Sequence, residues 1–246
     1  FIFMTSTSNG LKNPWVILGV LFVLLIGGAV WYGAGANDTY NAGVEVRAHV
    51  KGNPDAAVKL VEYSDFRCPA CAQFHAVVKE IVDEYGDQLS FEYRHFPLSQ
   101  IHRLAEPAAR AAEAAGQQGK FFEYHDFLFE NQGTWSNSTN PAQFFLQYAN
   151  EVGLDIDEFT RMQRSSILRS HVQSQFAQAR DLGFTGTPSF LLNGEPMKFQ
   201  TFDEFRAQII NAIDPSVDVT GGMGAPATEG AVEVEASGAP AVQFGI

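Results

Sequence analysis

The feature that most narrows the fold is the only pair of cysteines in the 246 residues, Cys68-Pro69-Ala70-Cys71, set where a strand pattern gives way to a helix pattern. A framework of structural disulfides would need further sulfurs. A bridge across two residues closes too small a loop to add much stability through chain entropy. The pair therefore reads as a tool, with redox chemistry, a metal clip and an inert pair as the alternatives. Before it, Val58-Lys59-Leu60-Val61-Glu62-Tyr63 is β-prone and mostly apolar. After it, Phe74, Val77, Val78, Ile81 and Val82 fall on one stripe of a helix over 72–85, stopped at Gly86. Cys68 then lies at the junction, Cys71 in the first turn, and Pro69 where a missing N–H costs nothing. Unpaired amides and the positive end of the helix dipole favour an anion there. A lowered thiol pKa would make Cys68 both a nucleophile and a good leaving group.

The rest of the chain alternates in the same way. Val44, Val46, Ala48 and Val50 suggest a first strand, and Leu89, Phe91 and Tyr93 another. From about 99 to 183 the pattern is helical. It has an alanine-rich segment from Pro107 to near Gly116, then Phe121, Tyr124 and Leu128 with Phe122 and Phe129 beside them. Phe144, Phe145 and Tyr148 follow, then Ile156, Phe159 and Met162, then Val172, Phe176 and Ala179 closed by Gly183. Most of the 21 phenylalanines fall at such core spacings. Ser189-Phe190-Leu191-Leu192, Asn193-Gly194 and Met197-Lys198-Phe199 read as a β-hairpin. Thr201 and Glu204 form a capping box for a last helix carrying Phe202, Phe205, Ile209 and Ile213.

Residues 15–32 form a run without a charged side chain, bounded by Trp15 and by Trp31 and Tyr32. Eighteen residues at 1.5 Å each cover about 27 Å, near the thickness of a bilayer core. A short segment, 1–14, precedes this expected transmembrane helix, and a Gly/Ala/Asn/Asp-rich stretch, 33–43, follows as a linker. Ala34-Gly35-Ala36 also has the pattern of a signal-cleavage site, but the run is long for a signal core, which favours an uncleaved anchor. Lys12, the only charge before the run, places the N-terminus inside and the bulk of the chain outside. Residues 214–246 hold five acids and no Lys or Arg, and read as a disordered acidic tail. A net charge of −12 with no basic patch excludes nucleic acid as a partner.

The motifs together resemble a family. Gly52-Asn53-Pro54-Asp55-Ala56, Val61 through Cys71, Arg94-His95-Phe96-Pro97-Leu98, Gly119 through His125, and Gly186-Thr187-Pro188-Ser189-Phe190 are similar to DsbA-type thiol–disulfide oxidoreductases of the membrane-anchored, BdbD-like branch. The resemblance covers roughly 44–213. It implies an α/β thioredoxin fold with an inserted helical domain, preceded here by the N-terminal transmembrane helix. It implies that Cys68 is the exposed nucleophile and Cys71 the resolving thiol, with Pro69 and Ala70 in the active-site loop. It also implies that Thr187–Pro188 is a cis-proline loop against the cysteines, its backbone pairing with substrate and Thr187 tuning potential and release. Glu62, six residues before Cys68 in an apolar strand, is unfavourable as a buried carboxylate; it is expected to keep its proton and relay it to and from Cys71. The alternative for Glu62 is a side chain facing solvent.

His75 stands where some relatives carry an acid, and His95 and His102 read as surface or capping residues. Zinc on the cysteine pair would need two further ligands from histidines. No metal or other cofactor is expected, because the sulfurs carry the electrons. The dipeptide Pro69-Ala70 lacks the histidine of the Cys-Pro-His-Cys motif, so the redox direction stays open. The leading expectation is an oxidase of exported proteins at the cell membrane, single-pass, with an extracytoplasmic catalytic domain. It would be reoxidised by a quinone-linked partner of DsbB or VKOR type. A reductase fed by a transmembrane electron donor, an isomerase, and a non-redox binding or holdase module are the alternatives.

Overall fold

The structure, a computed structural model, describes residues 14–217, with the side chains of 31–38 left aside. Residues 1–13 of the expected segment 1–14, and nearly all of the acidic tail, lie outside the described residues. Five strands form one sheet in the order β1-β3-β2-β4-β5: β1 His49–Gly52, β2 Val58–Ser64, β3 Leu89–His95, β4 Ser189–Leu192 and β5 Glu195–Pro196. β2 and β3 run parallel, Leu60 opposite Phe91 and Glu62 opposite Tyr93. A parallel pair needs a crossover, and α2, Pro69–Tyr85, supplies it. β4 pairs antiparallel with β2, Glu62 opposite Phe190. This alternation puts Val58, Leu60, Glu62, Ser64, Phe91, Tyr93 and Phe190 on one face. The helix α2 lies there with α9, Phe202–Ile213, through a cluster of Phe74, Phe190, Phe199 and Phe205. Tyr63, Phe96 and Leu191 occupy the opposite face, with Ala179.

The insertion holds α3 Ala105–Gln117, α4 Phe121–Glu130, α5 Gln132–Trp135, α6 Pro141–Val152, α7 Ile156–Met162 and α8 Ser166–Asp181. Two of its buried polar groups bond within it: Tyr124 donates to Phe145 O at 2.9 Å and Trp135 Nε1 to Leu128 O at 2.7 Å. The alanine-rich helix ends at Gln117, next to Gly116. That glycine is where α3 passes His49, whose ring would lie 2.7 Å from an added Cβ.

Several boundaries differ from the pattern. The first strand starts at His49, because Glu45 is bonded through both its N–H and its carbonyl to the Gln117 side chain. Asn193 and Gly194 have φ 53° and 90°, as a tight hairpin turn requires, and this brings the return strand to Glu195–Pro196 ahead of Met197-Lys198-Phe199. The expected linker 33–43 is helical through Asn41, the end of α1, Pro14–Asn41. Asn41 Oδ1 accepts from Ser166 N at 3.0 Å and Ser165 Oγ at 2.9 Å, docking this corner on the start of α8.

The expected transmembrane helix 15–32 is also corrected: among the described residues no helix is long and apolar enough to cross a membrane.

Candidate active site

Cys68 is the N-cap of α2, Pro69 occupies the first helical position, and Cys71 lies inside the first turn. Both thiols are free. Cys68 retains 9% of its surface and Cys71 none, so Cys68 is the more accessible but is far less open than the resemblance implied. The loop leading to it is fixed from two sides. Asp65 accepts from Arg67 N at 2.8 Å, Leu98 N at 2.9 Å and His102 Nδ1 at 2.8 Å, while its own carbonyl receives Cys68 N at 3.0 Å. From the insertion, Gln132 Nε2 donates to Phe66 O at 2.8 Å and Cys68 O at 2.9 Å.

The two thiols differ in acidity for reasons of place. The Cys71 thiol beside it draws the Cys68 thiol down to about 6, against burial, with Thr187 and the amides of Cys71 and Ala70 assisting. Burial first, then the hydrogen bond given to Cys68, pushes Cys71 well above the usual thiol range. As a thiol, Cys68 donates to Thr187 O at 3.3 Å. A thiolate cannot keep that bond. Thr187 Oγ1, buried with no formed hydrogen bond, is the nearby hydroxyl that can turn to the anion and favour it. The Thr187–Pro188 peptide is cis.

Glu62 is buried, 2% exposed, as the strand pattern predicted in preference to solvent. Burial raises its carboxyl to about 7; Ser64 opposes this and the Cys68 charge adds to it. Glu62 Oε1, Ser64 Oγ and Tyr93 OH are buried without a close partner, so the Ser64 contribution acts over a longer reach than a formed hydrogen bond. Glu62 also contributes to the elevation of Cys71, which puts a proton-bearing carboxyl within electrostatic range of the buried thiol.

The structure brings Glu62, Cys68, Pro69, Ala70, Cys71, Thr187 and Pro188 to one end of the sheet, at the N-terminus of α2. It also adds residues the sequence did not single out. Asp65 and Gln132 hold the loop; the Asx turn from Asp65 to Arg67 was the available local signal. Gln132 belongs to a short helix, α5, with no periodic signature. The reading of His95 as surface or capping is corrected: it is 1% exposed, and its Nε2 lies 2.8 Å from Glu113 Oε1. His102 is mostly covered and pairs with Asp65, whose hydrogen bond raises its pKa. Among the described residues, His75, His125 and Asp126 form a group with metal-ligand spacing; the cysteines take no part in it.

A sheet of this order, with a Cys-x-x-Cys pair at the start of the crossover helix and a cis-proline loop beside it, defines a thioredoxin-fold protein. The chain belongs to the thioredoxin family, whose model matches residues 45–211. A thioredoxin-like oxidoreductase from Silicibacter pomeroyi is similar in structure, with TM-score 0.58 and 32% identity over 73% of this chain and 96% of that one. BdbD from Bacillus subtilis has TM-score 0.59 and 20% identity over 67% and 91%. Wolbachia pipientis α-DsbA1 has 0.57 and 22% over 72% and 94%. Among curated proteins, the Na(+)/H(+) antiporter NhaA 1 of a Mycobacterium species is 39% identical over 158 residues, 62% of this chain and 24% of its own length. The chain thus spans about a quarter of the length of the curated relatives it matches. The likenesses to BdbD and α-DsbA1 show a shared fold.

Proposed function

We propose that this protein oxidises thiols of exported proteins through a Cys68–Cys71 disulfide. The observation that carries the reading is the asymmetry of the pair: a depressed, slightly accessible Cys68 thiol at a helix N-terminus over an elevated, fully buried Cys71 thiol. A substrate thiolate attacks Cys68 Sγ, the Cys68–Cys71 bond breaks, and Cys71 leaves and takes a proton from Glu62. A second substrate thiolate then attacks the substrate sulfur of the mixed disulfide, and Cys68 leaves as a thiolate. The substrate loses two electrons and the active-site pair gains them. Pro69 and Ala70 shape the loop, and the Thr187–Pro188 backbone lies where an incoming chain would pair. No cofactor is required, and a membrane quinone-linked partner of DsbB or VKOR type would return the electrons to a quinone.

Oxidation is favoured over reduction because stabilising the Cys68 thiolate stabilises the reduced pair and makes the disulfide more oxidising. A Cys68 pKa of about 6 lies between the values of about 7 for thioredoxin and about 3.5 for DsbA. A place at a membrane surface is supported by the exposed apolar side chains of α1, including Trp15, Phe22, Leu24 and Leu25, which are costly to leave facing water. The matched relatives named as Na(+)/H(+) antiporters are chains that move ions across a membrane, in agreement with that placement.

The test is the reduction potential of the pair, by equilibration with glutathione, together with turnover of a reduced protein substrate. A potential well above about −270 mV, the value for thioredoxin, supports the oxidase. A thioredoxin-like value would turn the assignment to a reductase. Cys68→Ser is expected to bring exchange down to background; unchanged function in that variant would favour the non-redox binding module.

A further inference from the structure

Behind the redox pair, on the side of the sheet covered by α2 and α4, a narrow cavity of about 10 Å³ is lined by Glu62, His75, His125 and Asp126, with Lys51 and Lys79 at its wall. Three of its lining groups are buried beyond nine-tenths: Glu62 at 2%, His125 at 4% and His75 at 7% exposure. Each carries a polar atom without a hydrogen-bond partner: Glu62 Oε1, His125 Nε2 and His75 Nε2. Leaving such atoms unsatisfied in a buried site is costly. Three of them around one small space is a pattern that asks for a common partner.

We propose that His75, His125 and Asp126 form a binding site for a divalent transition-metal ion of the Zn²⁺ class, with Glu62 as its inner wall. One ligand atom from each of the three lies within 4.8 Å of the others. His125 Nδ1 is 3.0 Å and His75 Nε2 3.8 Å from Asp126 Oδ1, and the two imidazoles are 5.0 Å apart at their centroids. Small side-chain movements bring this set to the spacing of a site with three protein ligands and one open position. Imidazole and carboxylate donors suit Zn²⁺ and its neighbours. The cavity admits one body about the size of a water molecule.

Lys79 and Lys51 oppose a cation. Lys79 Nζ is 3.4 Å from Asp126 Oδ2, but it also bonds Glu130 at 2.8 Å and is partly exposed, so it can release Asp126 and keep a partner. Lys51 lies over the Phe122 ring at 5.9 Å.

The site is tested in the full chain carrying Cys68→Ser and Cys71→Ser, so that no thiolate can ligate and the result does not depend on the redox reading. Co²⁺ is titrated as a spectroscopic probe through its visible d–d absorption, with Zn²⁺ as competitor. One equivalent of Co²⁺ is expected to bind, and Zn²⁺ to displace it. His75→Asn and Asp126→Asn should each weaken binding at least about tenfold with unchanged far-UV circular dichroism, a loss comparable to that seen for groups supporting metal ligands. Lys79→Met should tighten it, because removing a neighbouring cation removes repulsion. Absence of the band at millimolar Co²⁺ would overturn the proposal, leaving the cavity to water. A band that survives both ligand substitutions, or that needs the cysteines restored, would overturn it as well.

Discussion

Glu62 on β2 and Glu113 on α3 are buried almost equally, at 2% and 0% exposure, yet their acidities shift in opposite directions. Around Glu113 Oε1 stand His95 Nε2 at 2.8 Å, His49 Nε2 at 3.0 Å and His171 Nε2 at 3.6 Å. Burial opposes ionisation there, yet the hydrogen bonds from His49 and His95 hold the carboxyl far below its usual range. Glu62 has no close donor, and burial takes it up to about 7. Depth does not decide the charge of a buried acid; the donors aimed at it do. The difference also separates two jobs. Glu113 ties β1 and β3 to α3 and α8, and so clasps the insertion to the sheet. Glu62, left with its proton, sits under the cysteine pair.

The largest break in this comparison is Glu113→Ala. Removing the carboxylate strands two buried imidazoles, and a loss of about 3–5 kcal/mol is expected in denaturant unfolding. A loss below about 1 kcal/mol would mean the clasp is not an anchor. Glu62→Gln acts in the opposite sense. The native carboxyl titrates near 7 and the unfolded one near 4.5, so the native state holds the extra proton between those values. The stability Glu62 gives is therefore complete below pH 4.5 and is lost as pH rises through 7, a gap worth about 3 kcal/mol. Glu62→Gln should match the parent at pH 4 and exceed it by up to that amount at pH 8. For Glu113 the slope reverses: its contribution is present above pH 4.5 and fades as the pH falls. Unfolding curves at pH 4, 6 and 8 separate the two acids directly, and parallel pH profiles for both variants would contradict the contrast.

A smaller effect sharpens the account of the site itself. Alkylation of Cys68 should follow a thiolate titrating near pH 6. Thr187→Val removes one donor to that anion and should move the midpoint up by about one pH unit, the worth of a hydrogen bond to a charged group. An unmoved midpoint would assign the depression to Cys71 and the helix amides alone.

What was legible beforehand divides along the same line. Local patterns placed β2, α2 and β3, the Asn193-Gly194 turn, and the start of α9, where Thr201 Oγ1 caps Glu204 N at 3.1 Å. The cysteine pair and Thr187–Pro188 stood out because each marks an element boundary. His95 was misplaced because a strand end looks the same whether or not a helix covers it. Its partner Glu113 lies on α3 in one helical row with Glu106, Arg110 and Gln117, a row that reads as a solvent-facing stripe although Glu113 is buried. Gln132 escaped because a four-residue helix has no period to read.

By itself the sequence determined the order of elements, the sulfur pair at the junction of β2 and α2, and the presence of an acid in an apolar strand. These follow from side-chain periodicity and from backbone preferences that act over a few residues. Only the tertiary structure decided that Cys68 would be nearly covered and Cys71 wholly so, that Thr187 would stand against Cys68, and that Glu62 would keep its proton while Glu113 gave its own up. Those outcomes depend on which donors and which apolar surfaces meet across the fold, and a carboxyl or a thiol takes its charge from that company.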